Sequence, residues 1–470
     1  MPLASATPPP QPSPARAGGQ GGGRSIVVGL GRTGLSCARY LHARHEMFAV
    51  TDSRATPPES SALQQLAPEA EVRFGAFDEA LLDDAMRVIA SPGVSLREPF
   101  MMSAAIRGVP IIGDIELFAR EAQAPVAAIT GTNGKSTVTT LVARMAEAAG
   151  KRVLAGGNLG RPALDLLDEP VPELYVLELS SFQLETTRSL RTAAAVVLNV
   201  TPDHMDRYES VGEYASAKAR IFQHCDAAVI NLDDPLVHAM THHAPRVLTF
   251  TLRADRGGDY YVLPMGDDFA LMHDGRQLLA MSEMKIAGLH NVANALAALA
   301  MCDALQLAQE PCVQALREFT GLPHRSQWIA DVRGVRYVND SKGTNVGATL
   351  AAVAGMPGSL VLIAGGQGKG QDFTPLAAAF RGKVRHVVLL GQDAKLLAAA
   401  LEGVASIEFS KDMDDAVQRA ARAAHSGETV LLSPACASLD MFRDYAHRGY
   451  MFQASVRRLV DDSARKAGDA

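Results

Sequence analysis

The residues best suited to handle phosphate lie in one stretch, Ala128-Ile-Thr-Gly-Thr-Asn-Gly-Lys-Ser-Thr137. Gly131 and Gly134 let backbone N–H groups approach an anion, Lys135 adds a point charge, and Ser136 and Thr137 offer hydroxyls to a magnesium ion. The spacing from Gly131 to Lys135 is G-x-x-G-K, shorter than the common phosphate loop, so a plain glycine turn is the alternative. The flanks argue against it. Pro125 to Ile129 reads as a buried parallel strand, and Val138, Leu141, Val142 and Met145 share one face of a following helix. The loop therefore sits at a helix N-terminus, where unpaired N–H groups favour negative charge.

Other stretches carry chemistry of the same kind. Ser25-Ile-Val-Val-Gly-Leu-Gly-Arg-Thr-Gly34 is a strand running into G-x-G-x-x-G and a helix from Leu35 to about His42; a second strand, Phe48–Asp52, ends in an acid. That is a nucleotide-diphosphate fingerprint with Asp52 placed for a ribose hydroxyl, and NAD is as good an occupant as any other nucleotide. Glu178 falls in the apolar run Tyr175–Ser181, where a carboxylate needs a partner or a metal; a core salt bridge is the alternative to a magnesium ligand. Asp203, His204 and Asp206 cluster just past the strand Ala194–Val200. Lys218 lies one turn after Tyr214 on a helix and by itself reads as a solvated surface charge. Asn291 and Asn294, three apart on an alanine-rich helix, can both face a purine or serve as cap and surface amide. Near the end, Asn339–Asn345, Gly365–Lys369 and Ser433–Asp440 are small polar loops after strands, two of them with a lysine, suited to an anionic amino acid.

These residues need strands and helices in alternation, and the pattern supplies them three times. The fold class is α/β with three domains: a Rossmann-like domain over 25–113, a central phosphate-loop domain with a parallel sheet over 114–321, and a Rossmann-like C-terminal domain over 322–470. Strands are predicted at Val335–Val338, Leu360–Ala364, His386–Leu390 and Thr429–Leu432, with helices over Thr374–Arg381, Ala394–Glu402 and Met413–Ala424 between them. Residues 1–24, rich in Pro, Ala and Gly without an apolar core, read as a disordered extension and not a secretory signal. A 470-residue chain with 47% hydrophobic residues and a net charge of −6 has no basic footprint for nucleic acid, and no apolar run approaches bilayer-spanning length. Five scattered cysteines without C-x-x-C spacing predict reduced thiols, a cytoplasmic location and no zinc site.

From residue 25 on, these stretches resemble the Mur ligase family of ATP-dependent peptide-bond-forming enzymes, in which G-T-N-G-K-S-T is the shortened phosphate loop. G-L-G-R-T-G-L-S-C, T-D-S-R, N-V-T-P-D-H-M-D-R-Y, N-D-S-K-G-T-N and S-P-A-C-A-S-L-D are most similar to the branch that adds D-glutamate to UDP-N-acetylmuramoyl-L-alanine in peptidoglycan precursor synthesis; the D-N-P-R of the diamino-acid branch is absent. The resemblance implies ATP and Mg²⁺ as cofactors, those two compounds as partners, and a monomer. It assigns Gly131, Thr132, Asn133, Gly134, Lys135, Ser136, Thr137, Asn291, Asn294, Arg325 and Asp340 to ATP. Gly31, Arg32, Thr33, Asp52, Ser53, Arg54 and Asn158 go to the UDP substrate, and Lys342, Thr344, Lys369, Ser438 and Tyr445 to D-glutamate. Lys135, Glu178, His204 and Lys218 would be catalytic, with Ser136, Glu178, His204 and a carbamylated Lys218 on the metal. Tyr445 stands where the family has phenylalanine, Ser53 where it has threonine, Gln367 where an acid is common, and the loop between His204 and Lys218 is one residue short. Folylpolyglutamate synthase, a nicotinamide oxidoreductase and a non-catalytic nucleotide-binding module are the competing readings. The first lacks the domain over 25–113, the second leaves Lys135 and Glu178 unexplained, and the third leaves the four catalytic candidates without a role.

Overall fold

The structure, a computed structural model, describes residues 23–240, 243–266, 268–286 and 288–468, with side chains to residue 461. The extension expected over 1–24 lies, through residue 22, outside the described residues; Arg24 opens the first strand. The chain falls into two compact units that divide after Ile111.

In the first unit β1 (Arg24–Val28), β2 (Phe48–Asp52), β3 (Glu71–Phe74) and β4 (Ala85–Ala90) pair in parallel, and β5 (Ile111–Gly113), at the unit boundary, completes the order β3-β2-β1-β4-β5. The apolar runs of β1 and β4 are buried against Leu81, Phe100 and Met101, as a parallel sheet covered by helices requires. The helix after the glycine loop spans Arg32–Ala43, starting earlier than Leu35 because its first turn is built from the loop itself.

The second unit holds two sheets. The first contains β6 (Val126–Thr130), β7 (Val153–Gly157), β8 (Leu174–Glu178), β9 (Ala194–Val197), β10 (Ala227–Asn231), β11 (Arg246–Thr251), β12 (Tyr260–Met265), β13 (Asp268–His273) and β14 (Arg276–Ala280) in the order β14-β13-β12-β11-β10-β9-β6-β8-β7. It is parallel from β7 through β12, as expected, and β13 runs antiparallel to both β12 and β14, adding an edge meander not foreseen from the sequence. Helices Lys135–Ala148 and Leu289–Ala304 cover one face of it; Val138, Leu141 and Met145 pack with Val292, Leu296 and Leu299 in one core.

The other sheet has the order β15-β16-β20-β17-β18-β19, from β15 (Gln327–Val332), β16 (Val335–Asn339), β17 (Leu360–Gly365), β18 (Val384–Leu390), β19 (Ser406–Phe409) and β20 (Thr429–Leu432). The four predicted strands are parallel neighbours; β15 adds an antiparallel edge that its alternating polar residues concealed. Among the described residues no helix is long and apolar enough to cross a membrane.

Candidate functional site

In the first unit the glycine loop closes on β1 so tightly that a Cβ at Gly34 would lie 2.0 Å from the Gly29 carbonyl oxygen. Ser91 donates to that oxygen (2.6 Å), and Leu30 N–H donates to Asp52 Oδ2 (2.7 Å). Asp52 does not stand free for a ribose: it also accepts from the Arg54 N–H and from Nε (both 2.8 Å) and Nη2 (2.6 Å) of the Arg54 guanidinium. Burial pushes this carboxyl up, but Arg54 and the two backbone donors overcome it and hold it at about 2. A folded value below the ordinary 3.8 gives stability that is fully present above about pH 4 and lost as pH falls through about 2. Asp52→Asn is therefore expected to lower the thermal midpoint above pH 4, with the gap to wild type narrowing toward pH 2. A gap unchanged at pH 2 would refute that account.

The phosphate loop of the second unit is held open by side chains of the neighbouring strand end. Gly134 caps helix Lys135–Ala148 at φ 86, in the left-handed region, and a Cβ there would sit 2.3 Å from Asn294 Oδ1. Asn199, just beyond β9, accepts from Asn133 N–H (2.8 Å) and donates to the Asn133 carbonyl (3.1 Å). Thr132 Oγ1 bonds to Thr201 on the same segment. Lys135 Nζ folds back onto the carbonyls of Gly131 (2.8 Å) and Thr132 (2.9 Å), and burial lowers its pKa. Arg325 reaches in from the last segment and donates to Ser136 Oγ (2.7 Å).

Beside the loop stands an unsatisfied acid. Glu178, the last residue of β8, is buried; its Oε1 accepts from Asn158 Nδ2 (2.7 Å), while its Oε2 has no partner. A core salt bridge does not account for it. Asn158, assigned to the UDP substrate by resemblance, is here engaged with this carboxylate. His204 sits at φ 57 with its ring edge-on to Phe182 and Tyr214, and burial lowers its pKa. Lys218 corrects the reading of a solvated charge: it is 1% exposed, lies 4.4 Å from the Tyr214 ring centroid and donates to the Gly131 carbonyl (2.9 Å). Burial, and then the Lys135 cation, depress its pKa well below the usual lysine value. Among the described residues no group of three or more His, Cys, Asp or Glu side chains could by itself hold a metal ion. The free Glu178 oxygen nonetheless fits a hard cation, because Mg²⁺ takes few protein ligands and completes its shell with water and phosphate.

A cavity of about 230 Å³ opens from the loop toward the last segment. Asn133, Gly134, Thr137, Asn291, Asn294, Arg325 and Asp340 line it, so these seven of the residues assigned to ATP converge on one space. Sequence reasoning missed His290, Asn199 and Phe250 in the same lining; His290 had a signal, standing directly before Asn291 at the head of its helix. Asp340 accepts from Ser326 N–H (3.0 Å) and Ser433 Oγ (2.9 Å), and burial, against those bonds, lifts its carboxyl to about 6.

Of the residues assigned to D-glutamate, Lys342 and Tyr445 meet: Nζ lies 3.8 Å from the ring centroid. Burial, and then Arg325, lower Lys342 to about 8. Thr344 follows on the Lys342 loop, its N–H donating to the Lys342 carbonyl (2.8 Å). Lys369 and Ser438 are carried by two loops that pair through Gln367 and Ala437. The residue that ties these loops together, Arg448, was not foreseen. Its guanidinium donates to Ser341 Oγ (3.0 Å), the Ser341 carbonyl (2.8 Å) and the Cys436 carbonyl (3.0 Å).

Comparison with known proteins covers nearly all of this framework. Residues 23–113 match the model of the Mur ligase MurD-like N-terminal domain, 129–302 the Mur ligase middle domain and 324–436 the Mur ligase glutamate ligase domain. A UDP-N-acetylmuramoylalanine–D-glutamate ligase of Nitrosococcus oceani is 51% identical, covering 93% of this chain and 97% of its own length. The ligase of the same name from Coxiella burnetii is 46% identical over 93% and 99%. Among solved structures, a UDP-N-acetylmuramate-alanine ligase of Thermotoga maritima shares the fold with a TM-score of 0.58 at 20% identity, covering 93% of this chain and 99% of its own. The MurF ligase of Thermotoga maritima, in complex with ADP, does so at 0.58 and 17%, covering 93% and 98%.

Proposed function

The chain belongs to the Mur ligase family, and on that premise we propose that it is an ATP-dependent ligase joining D-glutamate to UDP-N-acetylmuramoyl-L-alanine. The observation that carries the reaction class is the convergence of Asn133, Gly134 and Thr137 of the phosphate loop with Asn291, Asn294, Arg325 and Asp340 on one cavity, with the free Glu178 oxygen on the strand next to the loop. The relatives named for this reaction support the choice of substrates.

A carboxylate is a poor electrophile because oxide is a poor leaving group. The alanyl carboxylate attacks the γ-phosphorus of ATP, ADP leaves, and an acyl phosphate forms. The free amine of D-glutamate then attacks the carbonyl carbon, the nitrogen gives up one proton to the departing phosphate, and that phosphate leaves with the electron pair of the C–O bond. The protein's share is positioning and charge neutralisation. Lys135 exchanges its two loop carbonyls for phosphate oxygens, and Arg325, already against Ser136, adds a second cation. Glu178, His204 and Ser136 would hold the metal, and Lys218, whose buried amine favours the neutral form, would join them as a carbamate after adding CO₂ and releasing a proton. A bound magnesium ion supplies further neutralisation of the phosphates. Lys342, Thr344, Lys369, Ser438 and Tyr445 receive the D-glutamate carboxylates, and Gly31, Arg32, Thr33, Ser53 and Arg54, in a loop braced by Asp52, receive the UDP group.

Phosphate release from ATP with UDP-N-acetylmuramoyl-L-alanine tests the reading when D-glutamate, L-glutamate, L-alanine and a diamino acid are each added alone. Turnover with D-glutamate only is expected. Turnover with a different amino acid would move the chain to another branch, and none with any would defeat the ligase reading.

A further inference from the structure

The segment joining the middle and last domains is bent in an unusual way. His324 (φ 63) and Ser326 (φ 44) both occupy the left-handed region, which Ser adopts rarely and His somewhat more often, and Gly321 (φ 87) precedes them. Such conformations persist where the surroundings dictate them. At Ser326 the surroundings are polar on two sides. Its N–H donates to Asp340 Oδ1 (3.0 Å), and its hydroxyl lies 3.3 Å from Nε2 of His290.

His290 belongs to the other domain, in the first turn of helix Leu289–Ala304. Its ring is clamped between two glycines. A Cβ at Gly288 would approach His290 Cε1 to 2.8 Å, and one at Gly355, which ends helix Val346–Gly355 of the last domain, would approach Nδ1 to 2.9 Å. Burial lowers the imidazole to about 4, against the Ala351 carbonyl, so it is a neutral ring with one donor and one acceptor nitrogen. The ring therefore touches both domains and the strand of chain between them. Arg325, the neighbour of Ser326, is the residue that donates to Ser136 of the phosphate loop.

We propose that His290 and Ser326 form a latch between the two domains, a pair of positioning residues that hold Arg325 and Asp340 in the nucleotide cavity. The inference rests on that cavity being the ATP site. Because its walls come from both domains, nucleotide affinity scales with the fraction of molecules in which both walls are in place.

Two measurements test it. In steady-state phosphate release with all three substrates, Ser326→Ala and His290→Ala are each expected to raise KM for ATP about three- to tenfold, the effect of one net hydrogen bond, with kcat within about twofold. The double variant is expected to be no worse than the larger single effect, since both remove one interaction. Ser326→Gly relieves the positive φ while removing the hydroxyl, and is expected to match Ser326→Ala. A wild-type KM in both Ser326 variants, or additive effects in the double variant, would overturn the latch. Hydrogen exchange of the full chain over residues 322–328 reads the same contact without turnover, and His290→Ala should accelerate it. No acceleration there would also overturn the latch, whereas a wild-type protein inert with every amino acid would count against the ligase reading alone.

Discussion

Lys135→Ala is expected to lower D-glutamate-dependent phosphate release by at least about a thousandfold, the scale on which phosphoryl transfer depends on a preplaced cation. The lysine opens helix Lys135–Ala148, whose buried residues Val138, Leu141, Val142 and Met145 all lie further along the helix. Its own bonds go to the carbonyls of Gly131 and Thr132, at the mouth of the loop. Truncation removes a charge without cutting into the apolar core, so stability should fall by no more than about 3 kcal/mol, the net worth of the two hydrogen bonds lost. Lys135→Arg should not rescue: a planar fork replaces a compact ammonium at a position set by the carbonyls of Gly131 and Thr132, 2.8 and 2.9 Å from Nζ. Single-turnover phosphate release together with a thermal melt makes the check. Activity within tenfold of wild type would show that the loop is not where the γ-phosphate is handled.

That site was readable from sequence because its determinants are contiguous. Strand, glycine turn, Lys-Ser-Thr and helix follow one another, each locally favourable, and the structure keeps all of them in place. Lys218 shows the limit. A lysine one turn after a tyrosine has the spacing of a surface pair, and resemblance alone singled it out. What buries it is the Gly131 carbonyl, 87 positions earlier in the chain, and no local pattern encodes that contact. Asn199 was passed over for the same reason: at the end of an apolar strand it reads as a turn residue, yet it clamps Asn133 from 66 positions away. The meander β12-β13-β14 was missed for a different cause. Its strands are half-exposed edges whose alternation is weak, with Pro264 inside β12, which lowers any strand expectation there.

Arg448 combines both limits, and its removal is the second large effect expected. It sits in the first turns of helix Tyr445–Gly468, where sequence offers it as a solvated charge, but it is 1% exposed. Burial lowers its pKa to about 10, which leaves it charged at neutral pH. The charge is tolerable because carbonyls and a hydroxyl from the Ser341 loop and the Cys436–Ala437 loop surround it. Those loops carry Lys342 and Ser438, so the guanidinium sets the distance between two of the groups assigned to D-glutamate. Arg448→Ala would leave at least three buried acceptors unpaired, at about 1–3 kcal/mol each, and should destabilise the C-terminal domain by more than about 3 kcal/mol. The chain's single tryptophan, Trp328, is exposed on edge strand β15, so far-UV circular dichroism in a urea titration, not its fluorescence, reports the loss. Arg448→Lys keeps the charge but reaches fewer of the acceptors; it should fold, with KM for D-glutamate raised more than KM for ATP, because the loops it spaces belong to the amino-acid side of the site. Equal shifts in both constants would mean that Arg448 supports the domain as a whole. An alanine variant with the wild-type urea midpoint and KM would mean that the loops are spaced by their strands alone.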